Sequence, residues 1–231
     1  MTARAFYHRA MRVAFAALVA LPVSMLWLGL NVRRRNLLPR KGPAIIAANH
    51  NSHLDTLVLL SLFPLRRVHH VRPAAAADYF MRNKLISWVS SRCIGIVPVP
   101  RGAKGKSGDP LAGCSEALEQ GKILLIFPEG TRGEPETFQT LRTGTARLAE
   151  RFPAAPVVPV YMQGLGKAMP KGTFVLLPIF VDIYVGQPIR WTGDGESYLQ
   201  ALSSCFNQLQ KEHGRNAFVH NPLPDRQDEK Q

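Results

Sequence analysis

The sequence predicts an α/β fold, a mixed sheet flanked by helices, behind an apolar N-terminal helix. Short apolar runs of strand length alternate with longer segments that suit helices. The runs that predict strands lie at residues 44–48, 95–101, 123–127, 157–162, 174–177 and 181–185. The segments that predict helices lie at residues 54–63, 78–92, 109–120, 145–152 and 195–213. A third observation is that residues 13–32 contain no charged side chain.

The length and composition suit one domain, because 231 residues, 46% of them hydrophobic, can bury one good core. We predict a membrane-associated helical segment at residues 1–32, an α/β domain at 33–220, and a disordered polar tail at 221–231. Residues 28–34 could already form the first strand of the domain. Residues 66–72 could form a basic strand or a solvated edge. The helix at 78–92 is predicted to pack its apolar side chains into the core, with contact to lipid as the alternative.

The net charge of +13 predicts a partner that carries negative charge. Nucleic acid, anionic membrane lipids and an acidic carrier protein would all qualify. No zinc finger, RNA-recognition signature or basic heptad pattern supports nucleic acid, so no nucleic-acid partner is expected. The three cysteines, Cys93, Cys114 and Cys205, are widely spaced and lack the Cys-x2-Cys spacing of metal ligands. They are interpreted as reduced packing residues, and no metal site is predicted.

The apolar stretch at residues 13–32 is about as long as the ~20 residues that cross a bilayer core. A cleaved signal peptide is disfavoured, because no small-x-small cleavage site follows the stretch. Arginines flank both ends, so the distribution of positive charge fixes no orientation. Basic flanks and a possible bend at Pro22 suit a monotopic helix that dips in from the cytoplasmic face and returns. A single-pass helix remains the alternative, and either one predicts a protein at the cytoplasmic face of a membrane.

The first candidate site follows the predicted strand at residues 44–48. His50 lies on the turn between this strand and the helix at 54–63, and Asp55 stands five residues later, at the start of the helix. A carboxylate there can fold back onto the imidazole ring. A histidine held by an aspartate is a common way to activate a hydroxyl, because the carboxylate fixes the tautomer and stabilises the imidazolium. The alternative is that Asp55 only caps the helix.

The second candidate site follows the strand at residues 123–127, where the chain reads Phe127-Pro128-Glu129-Gly130-Thr131-Arg132. Arginine suits phosphate oxygens, and a glycine lets the backbone approach a ligand closely. The alternative is a structural turn in which Glu129 and Arg132 pair with each other. A basic, glycine-rich loop that begins at Arg101 also suits an anionic group. Its Gly-Lys-Ser is not a nucleotide-binding loop, because Pro100 stands where that loop needs glycine.

An Asn-His-x4-Asp motif followed some seventy residues later by Phe-Pro-Glu-Gly-Thr-Arg resembles the glycerolipid acyltransferase family. The chain looks most like the 1-acyl-sn-glycerol-3-phosphate acyltransferases. Two further blocks agree with the family: the apolar run that ends in Arg at residues 95–101, and the Pro-containing apolar block at 157–160. The four blocks occur in the family's order and cover roughly residues 40–165.

This resemblance implies an acyltransferase-like α/β fold and a reaction that needs no cofactor and no metal. A fatty acyl group would pass from acyl-CoA or acyl carrier protein, as co-substrate, to the sn-2 hydroxyl of lysophosphatidic acid. His50 would be the general base and Asp55 would orient it. The residues implied to hold the phosphorylated acceptor are Arg101, Glu129, Gly130, Thr131 and Arg132. The chain departs from the family at Val99 and Pro100, where many members carry a bulky apolar residue and an acid; this leaves the acceptor head group open.

Two other readings of the sequence stay open. The enzyme could acylate another lysolipid, such as an aminoacyl lipid or lysophosphatidylglycerol. The chain could instead be a non-catalytic module that docks on anionic lipid, although the intact His50 and Asp55 argue against this. A serine hydrolase is disfavoured, because the sequence contains no Gly-x-Ser-x-Gly.

Overall fold

The protein is built on a seven-stranded mixed sheet flanked by helices, as the sequence predicts. The computed structural model describes residues 3–77, 83–100, 108–130, 140–168 and 177–220. The strands are β1 Gly29–Arg33, β2 Ala44–Ala48, β3 Val71–Ala76, β4 Val97–Val99, β5 Ile123–Ile126, β6 Val157–Gln163 and β7 Phe180–Val185. Their order in the sheet is β1-β7-β6-β2-β5-β3-β4.

Helices cover both faces of this sheet. They are α1 Ala3–Phe15, α2 Asp55–Ser61, α3 Leu65–Val68, α4 Lys84–Trp88, α5 Ala112–Glu119, α6 Gly144–Arg151, α7 Leu165–Ala168 and α8 Gly195–His220. Helix α1 continues through two π-helical turns, Ala16–Ala20 and Val23–Trp27, and α4 continues through another, Val89–Ile94.

The direction of the strands determines which loops meet. Strands β2, β3, β4, β5 and β6 are parallel, whereas β7 runs antiparallel to β6 and β1 runs parallel to β7. The carboxyl ends of the five parallel strands therefore lie at one edge of the sheet, together with the amino ends of β1 and β7. We call this the carboxyl edge, and the opposite one the amino edge. Both candidate sites follow strands that end at the carboxyl edge.

Strand β2 lies at the centre of the core. All five of its residues are buried, which explains why it reads as a continuous apolar run rather than an alternating one. Ile46 packs on the face covered by α2, with Leu59 and Leu125. Ile45 packs on the other face, in the cluster that contains Leu118 of α5 and apolar residues of α6 and α8.

The N-terminal helix lies against the domain through small side chains. Ala16, Ala20 and Ser24 follow each other at intervals of four residues and are all buried. The opposite side carries large apolar residues, of which Leu18 is 75% and Leu26 is 84% exposed. Among the described residues, one helix, Phe6–Trp27, is long and apolar enough to cross a membrane, by its length and composition alone.

Several predicted elements differ from the structure. At residues 66–72 the chain forms α3 first, and the strand begins only at Val71. The predicted strand at 174–177 falls mostly outside the described residues, and Leu177 is not in a strand. Helix α8 continues seven residues beyond the predicted end at His213, to His220. The tail at 221–231 lies outside the described residues, as do residues 78–82 of the helix predicted at 78–92.

Core packing of the 78–92 helix was the wrong prediction for the part that the structure describes. Leu85 is 68% exposed, and Ile86 and Trp88 are each nearly half exposed. The π-helical end of this helix, Val89–Ile94, packs against α1. A helix with an apolar face normally buries that face, and exposed apolar side chains of this kind are typical of surfaces that contact lipid or another protein.

Arg34 joins three distant parts of the domain. It adopts a left-handed conformation directly after β1, with φ of +57°. Its Nε donates to the carbonyl of Val185 at 2.8 Å, and its two terminal nitrogens donate to Glu212 at 2.9 and 2.7 Å. These hydrogen bonds lower the pKa of the Glu212 carboxyl. The guanidinium thus ties β1 and β7 to the final helix.

Candidate active site

His50 and Asp55 meet at the carboxyl edge, as the sequence predicts. The turn after β2 places His50 beside the first residue of α2, and its Nδ1 lies 2.8 Å from Asp55 Oδ2. Asp55 is fully buried, whereas the His50 side chain is 21% exposed. The pair therefore has a carboxylate shielded from water on one side and an imidazole that faces outward on the other.

The Asp55 carboxylate also organises the turn that carries His50. Its Oδ2 accepts hydrogen bonds from the backbone N–H of Asn51 at 2.7 Å and of Ser52 at 2.9 Å. These two hydrogen bonds hold the carboxylate at the first residue of α2. The two readings of Asp55, partner of His50 and organiser of a helix start, therefore coexist in one side chain.

The His50 ring is fixed in orientation. An ionised carboxylate can only accept, so Nδ1 carries the proton and Nε2 is left as the basic nitrogen. The ring stacks on Phe127, with centroids 4.2 Å apart and planes 20° from parallel. A contact on the ring face and a hydrogen bond at its edge together hold the ring, and with it Nε2, in one orientation at the carboxyl edge.

The turn after β5 reaches across to the same histidine. Glu129 is buried, and its Oε1 accepts a hydrogen bond from the backbone N–H of His50 at 3.0 Å. This hydrogen bond satisfies a backbone donor in a partly buried turn, where an N–H left without a partner costs up to roughly 1–3 kcal/mol. The two motifs, widely separated in sequence, are thus joined by a direct contact between a side chain and the backbone.

Gly130 is required by the conformation of its turn. Its φ of +72° lies in the left-handed region, and its N–H donates to the carbonyl of Phe127 at 3.0 Å. A Cβ atom at this position would come within 2.5 Å of the Arg142 side chain. Arg142 Nε donates to the carbonyl of Glu129 at 3.1 Å, so this arginine braces the turn from outside.

Asn49 anchors the other side of the His50 turn to β6. Its amide forms a pair of hydrogen bonds with the backbone of Met162: Nδ2 donates to the carbonyl at 2.8 Å, and Oδ1 accepts from the N–H at 2.7 Å. Asn51 Nδ2 donates to the same carbonyl at 2.9 Å. His50 is therefore held between β5, through Glu129, and β6, through Asn49.

The remaining predicted site residues, Arg101, Thr131 and Arg132, lie outside the described residues. The described residues that come shortly before them in the chain lie at the carboxyl edge. Gly130 lies at the carboxyl edge beside His50, and Val99 ends β4 at the same edge, two strands from β5. Two strand spacings correspond to about 10 Å.

Sequence reasoning missed three residues of the site. Asn49 and Phe127 lie inside the two motifs but were given no role of their own. For Asn49, its place between a buried strand and a histidine could have indicated a structural role. Arg142 carries no local signal, because it is thirteen residues from the carbonyl that it binds.

Comparison with known proteins identifies the family of the chain. A family model described as Acyltransferase matches residues 29–163. The chain is 33% identical over 138 residues to a chloroplastic 1-acyl-sn-glycerol-3-phosphate acyltransferase of Arabidopsis thaliana, covering 60% of this chain and 36% of the relative. It is 28% identical over 163 residues to a lyso-ornithine lipid O-acyltransferase of Rhizobium meliloti, covering 66% of this chain and 52% of the relative.

The fold is also found in a solved structure. The crystal structure of the 1-acyl-sn-glycerophosphate acyltransferase PlsC from Thermotoga maritima has a TM-score of 0.72 and 19% sequence identity, and the match covers 93% of this chain and 84% of the other. This likeness concerns the fold. The chain spans only about a third to a half of the two relatives above. The family match, however, covers more than half of the chain, and we conclude that the chain belongs to the acyltransferase family.

Proposed function

We propose that this protein transfers a fatty acyl group from a thioester to the sn-2 hydroxyl of lysophosphatidic acid, which gives phosphatidic acid. The observation that carries the proposal is the fixed orientation of His50. Its Nδ1 faces the buried Asp55, and its backbone is held by Glu129, so that Nε2 points to the open carboxyl edge. A base with one defined direction suits removal of a proton from a hydroxyl that binds at that edge.

In the proposed reaction, His50 Nε2 accepts the proton of the acceptor hydroxyl while the hydroxyl oxygen attacks the thioester carbonyl. The imidazolium that forms lies 2.8 Å from the Asp55 carboxylate, which stabilises the positive charge. When the tetrahedral intermediate collapses, the C–S bond breaks and the thiolate takes the proton from Nε2. A positioned base of this kind contributes roughly 10²–10⁴-fold to the rate.

Acyl-CoA and acyl carrier protein are both acidic, and the net charge of +13 would attract either one as donor. For the acceptor, the Arabidopsis relative is named for 1-acyl-sn-glycerol-3-phosphate, whereas the Rhizobium relative is named for a lyso-ornithine lipid. That second name favours an aminoacyl lipid as the alternative acceptor. The test is to incubate membranes containing the protein with labelled acyl donors and a panel of lysolipids. Transfer to lyso-ornithine lipid but not to lysophosphatidic acid would replace the proposed acceptor.

Exposed apolar side chains on three segments support entry of the acceptor from a bilayer. Three segments contribute to it, and all three begin or end at the carboxyl edge: the end of the N-terminal helix before β1, helix α4 after β3, and the start of β7. Leu26, Leu85 and Phe180 represent these segments, and each is more than two-thirds exposed. Large apolar side chains left exposed near one another are typical of a membrane or partner surface. We propose that the carboxyl edge faces the cytoplasmic leaflet.

Membrane attachment should resist high-salt and alkaline washes, because hydrophobic insertion is not screened by ions. Orientation can be read from Thr2→Cys and Asn36→Cys variants that lack the native cysteines. These are labelled in sealed vesicles by a maleimide that does not cross the bilayer. A monotopic helix exposes both ends to the reagent on the cytoplasmic side. Protection of one end would establish a single span, and release by salt alone would disprove insertion.

The acceptor phosphate is proposed to lie against Arg101 and Arg132. Replacing either by alanine should raise the KM for the lysolipid more than the KM for the acyl donor, because an arginine that grips phosphate acts on one substrate. Each KM is measured separately. Arg147→Ala, an exposed arginine on α6, is the matched control and should change neither value. A rise in the donor KM alone would assign the two arginines to the donor site.

A further inference from the structure

Basic side chains from three separate segments converge at the amino edge of the sheet, far from His50. Strand register brings Lys122 beside His70, because the Ile123 N–H donates to the carbonyl of His70 at 3.0 Å. Arg72 lies two residues further along β3, where it pairs with Leu124. Arg12 of α1 reaches the same place, where its Nη1 donates to the carbonyl of His69 at 3.4 Å.

These cations have no ion-pair partner in the part of the chain that the structure describes. No ion pair joins Arg12, Arg72 or Lys122 to a carboxylate there. Burial lowers the pKa of Arg72, and the charge of Glu116 opposes that shift only in part, without forming an ion pair with the arginine. The Nε atoms of Arg12 and Arg72, and Nδ1 of His69, are buried without a hydrogen-bond partner among the described residues. Leaving buried charged groups unpaired is costly, so an external acceptor would stabilise this arrangement.

The local potential is positive in consequence. Burial, together with nearby His70, Arg9, Lys122 and Arg12, lowers the pKa of His69 to about 4. Burial and then Arg72 and Arg12 lower the pKa of Lys122 as well. An anion bound among these groups would offset their mutual repulsion.

We propose that Arg12, His69, Arg72 and Lys122 form a phosphate-binding site at the amino edge, separate from the site at His50. Two guanidinium groups offer forked donors that match phosphate oxygens, and a lysine adds a point charge. The Arg12 guanidinium lies directly against Gly95, where a Cβ atom would come within 2.7 Å of it. The absence of a side chain at Gly95 therefore leaves room for the guanidinium.

The head group of an anionic membrane lipid is the source that the structure favours. Arg12 belongs to the helix whose outer side is apolar, and the aromatic side chains of Phe6 and Tyr7 are exposed within two turns of it. Aromatic and basic residues at the end of an apolar helix are typical of the membrane interface. Arg12 and Trp27 lie about 22 Å apart along this helix, at 1.5 Å per residue. The helix therefore extends from the amino edge of the sheet to the carboxyl edge. If it lies flat in the membrane interface, lipid head groups are close to both edges.

The test compares two variants of the full chain with equal loss of charge. Arg72→Gln/Lys122→Gln removes two members of the site, whereas Arg147→Gln/Lys211→Gln removes two exposed charges elsewhere. Binding to phosphatidylglycerol vesicles and to phosphatidylcholine vesicles is measured at about 150 mM salt, where long-range attraction is screened. We expect the first variant to lose roughly tenfold or more in affinity for phosphatidylglycerol, and the second to lose little.

A second measurement separates the two sources of phosphate. The melting temperature of the native protein and of each variant is measured in detergent at increasing concentrations of inorganic phosphate. A saturable rise that the site variant lacks, without a vesicle effect, would assign the site to free phosphate. Equal vesicle losses in both double variants, or no response in either measurement, would overturn the proposal. Arg12→Gln provides an independent variant if the double variant does not fold, and acyl transfer in detergent reports whether the fold is intact.

Discussion

His50→Ala is expected to lower acyl transfer by roughly 10²–10⁴-fold, because it removes the proposed general base. The protein should stay folded and membrane-bound, since the His50 side chain is not part of either core cluster. Turnover is measured on the purified variant with saturating donor and acceptor. His53→Ala, an exposed histidine on the same turn, is the matched control and should retain nearly native turnover.

Asp55→Asn tests the same base from its partner side. The amide oxygen can still accept from the N–H groups of Asn51 and Ser52, so the turn can be kept while the charge is lost. Turnover should fall nearly as far as in His50→Ala, because nothing then stabilises the imidazolium. The melting temperature of the variant shows whether the turn has been preserved. Native turnover by either variant, when folded, would show that the pair is not the base.

The sequence could predict the central strands and the local pair because both depend on contacts within a few residues. Strands β2 and β5 lie between two helical layers, and a strand buried on both faces must be apolar throughout. His50 and Asp55 are five residues apart on a turn between two predictable elements. A short loop restricts the positions that the carboxylate can reach, and the motif could therefore indicate the contact between His50 and Asp55.

The contacts that hold this pair in place could not be predicted, because they join residues far apart in the chain. Asn49 binds the backbone of Met162 across 113 residues, and Arg34 binds Glu212 across 178 residues. The residues next to each partner in the sequence do not indicate which distant residue it will contact. The exposed face of α4 was mispredicted for a related reason. An apolar stripe shows that a helix has an apolar neighbour, but it does not say whether that neighbour is protein or lipid.

Glu129 offers the sharper test of how the two motifs act together. From sequence it was predicted to help hold the acceptor phosphate, yet a carboxylate repels phosphate and can act only through other groups. In the structure it is buried and accepts from the backbone N–H of His50 at 3.0 Å. We infer that Glu129 is a positioning residue for His50, in addition to the role in the acceptor site that the sequence predicts.

Two substitutions at Glu129 separate these roles. Glu129→Ala leaves the backbone N–H of His50 without its acceptor, which costs up to roughly 1–3 kcal/mol and favours a shift of the turn toward another acceptor. Because the position of Nε2 then changes, kcat should fall by about 10²-fold or more. Glu129→Gln keeps an oxygen that can accept from the same N–H, so kcat should stay within a few fold of native while the acceptor KM rises. Glu150→Ala, an exposed glutamate on α6, serves as the control.

If Glu129→Ala kept the native kcat and raised only the acceptor KM, the hydrogen bond to His50 would be incidental to catalysis. Glu129 would then belong to the acceptor site alone.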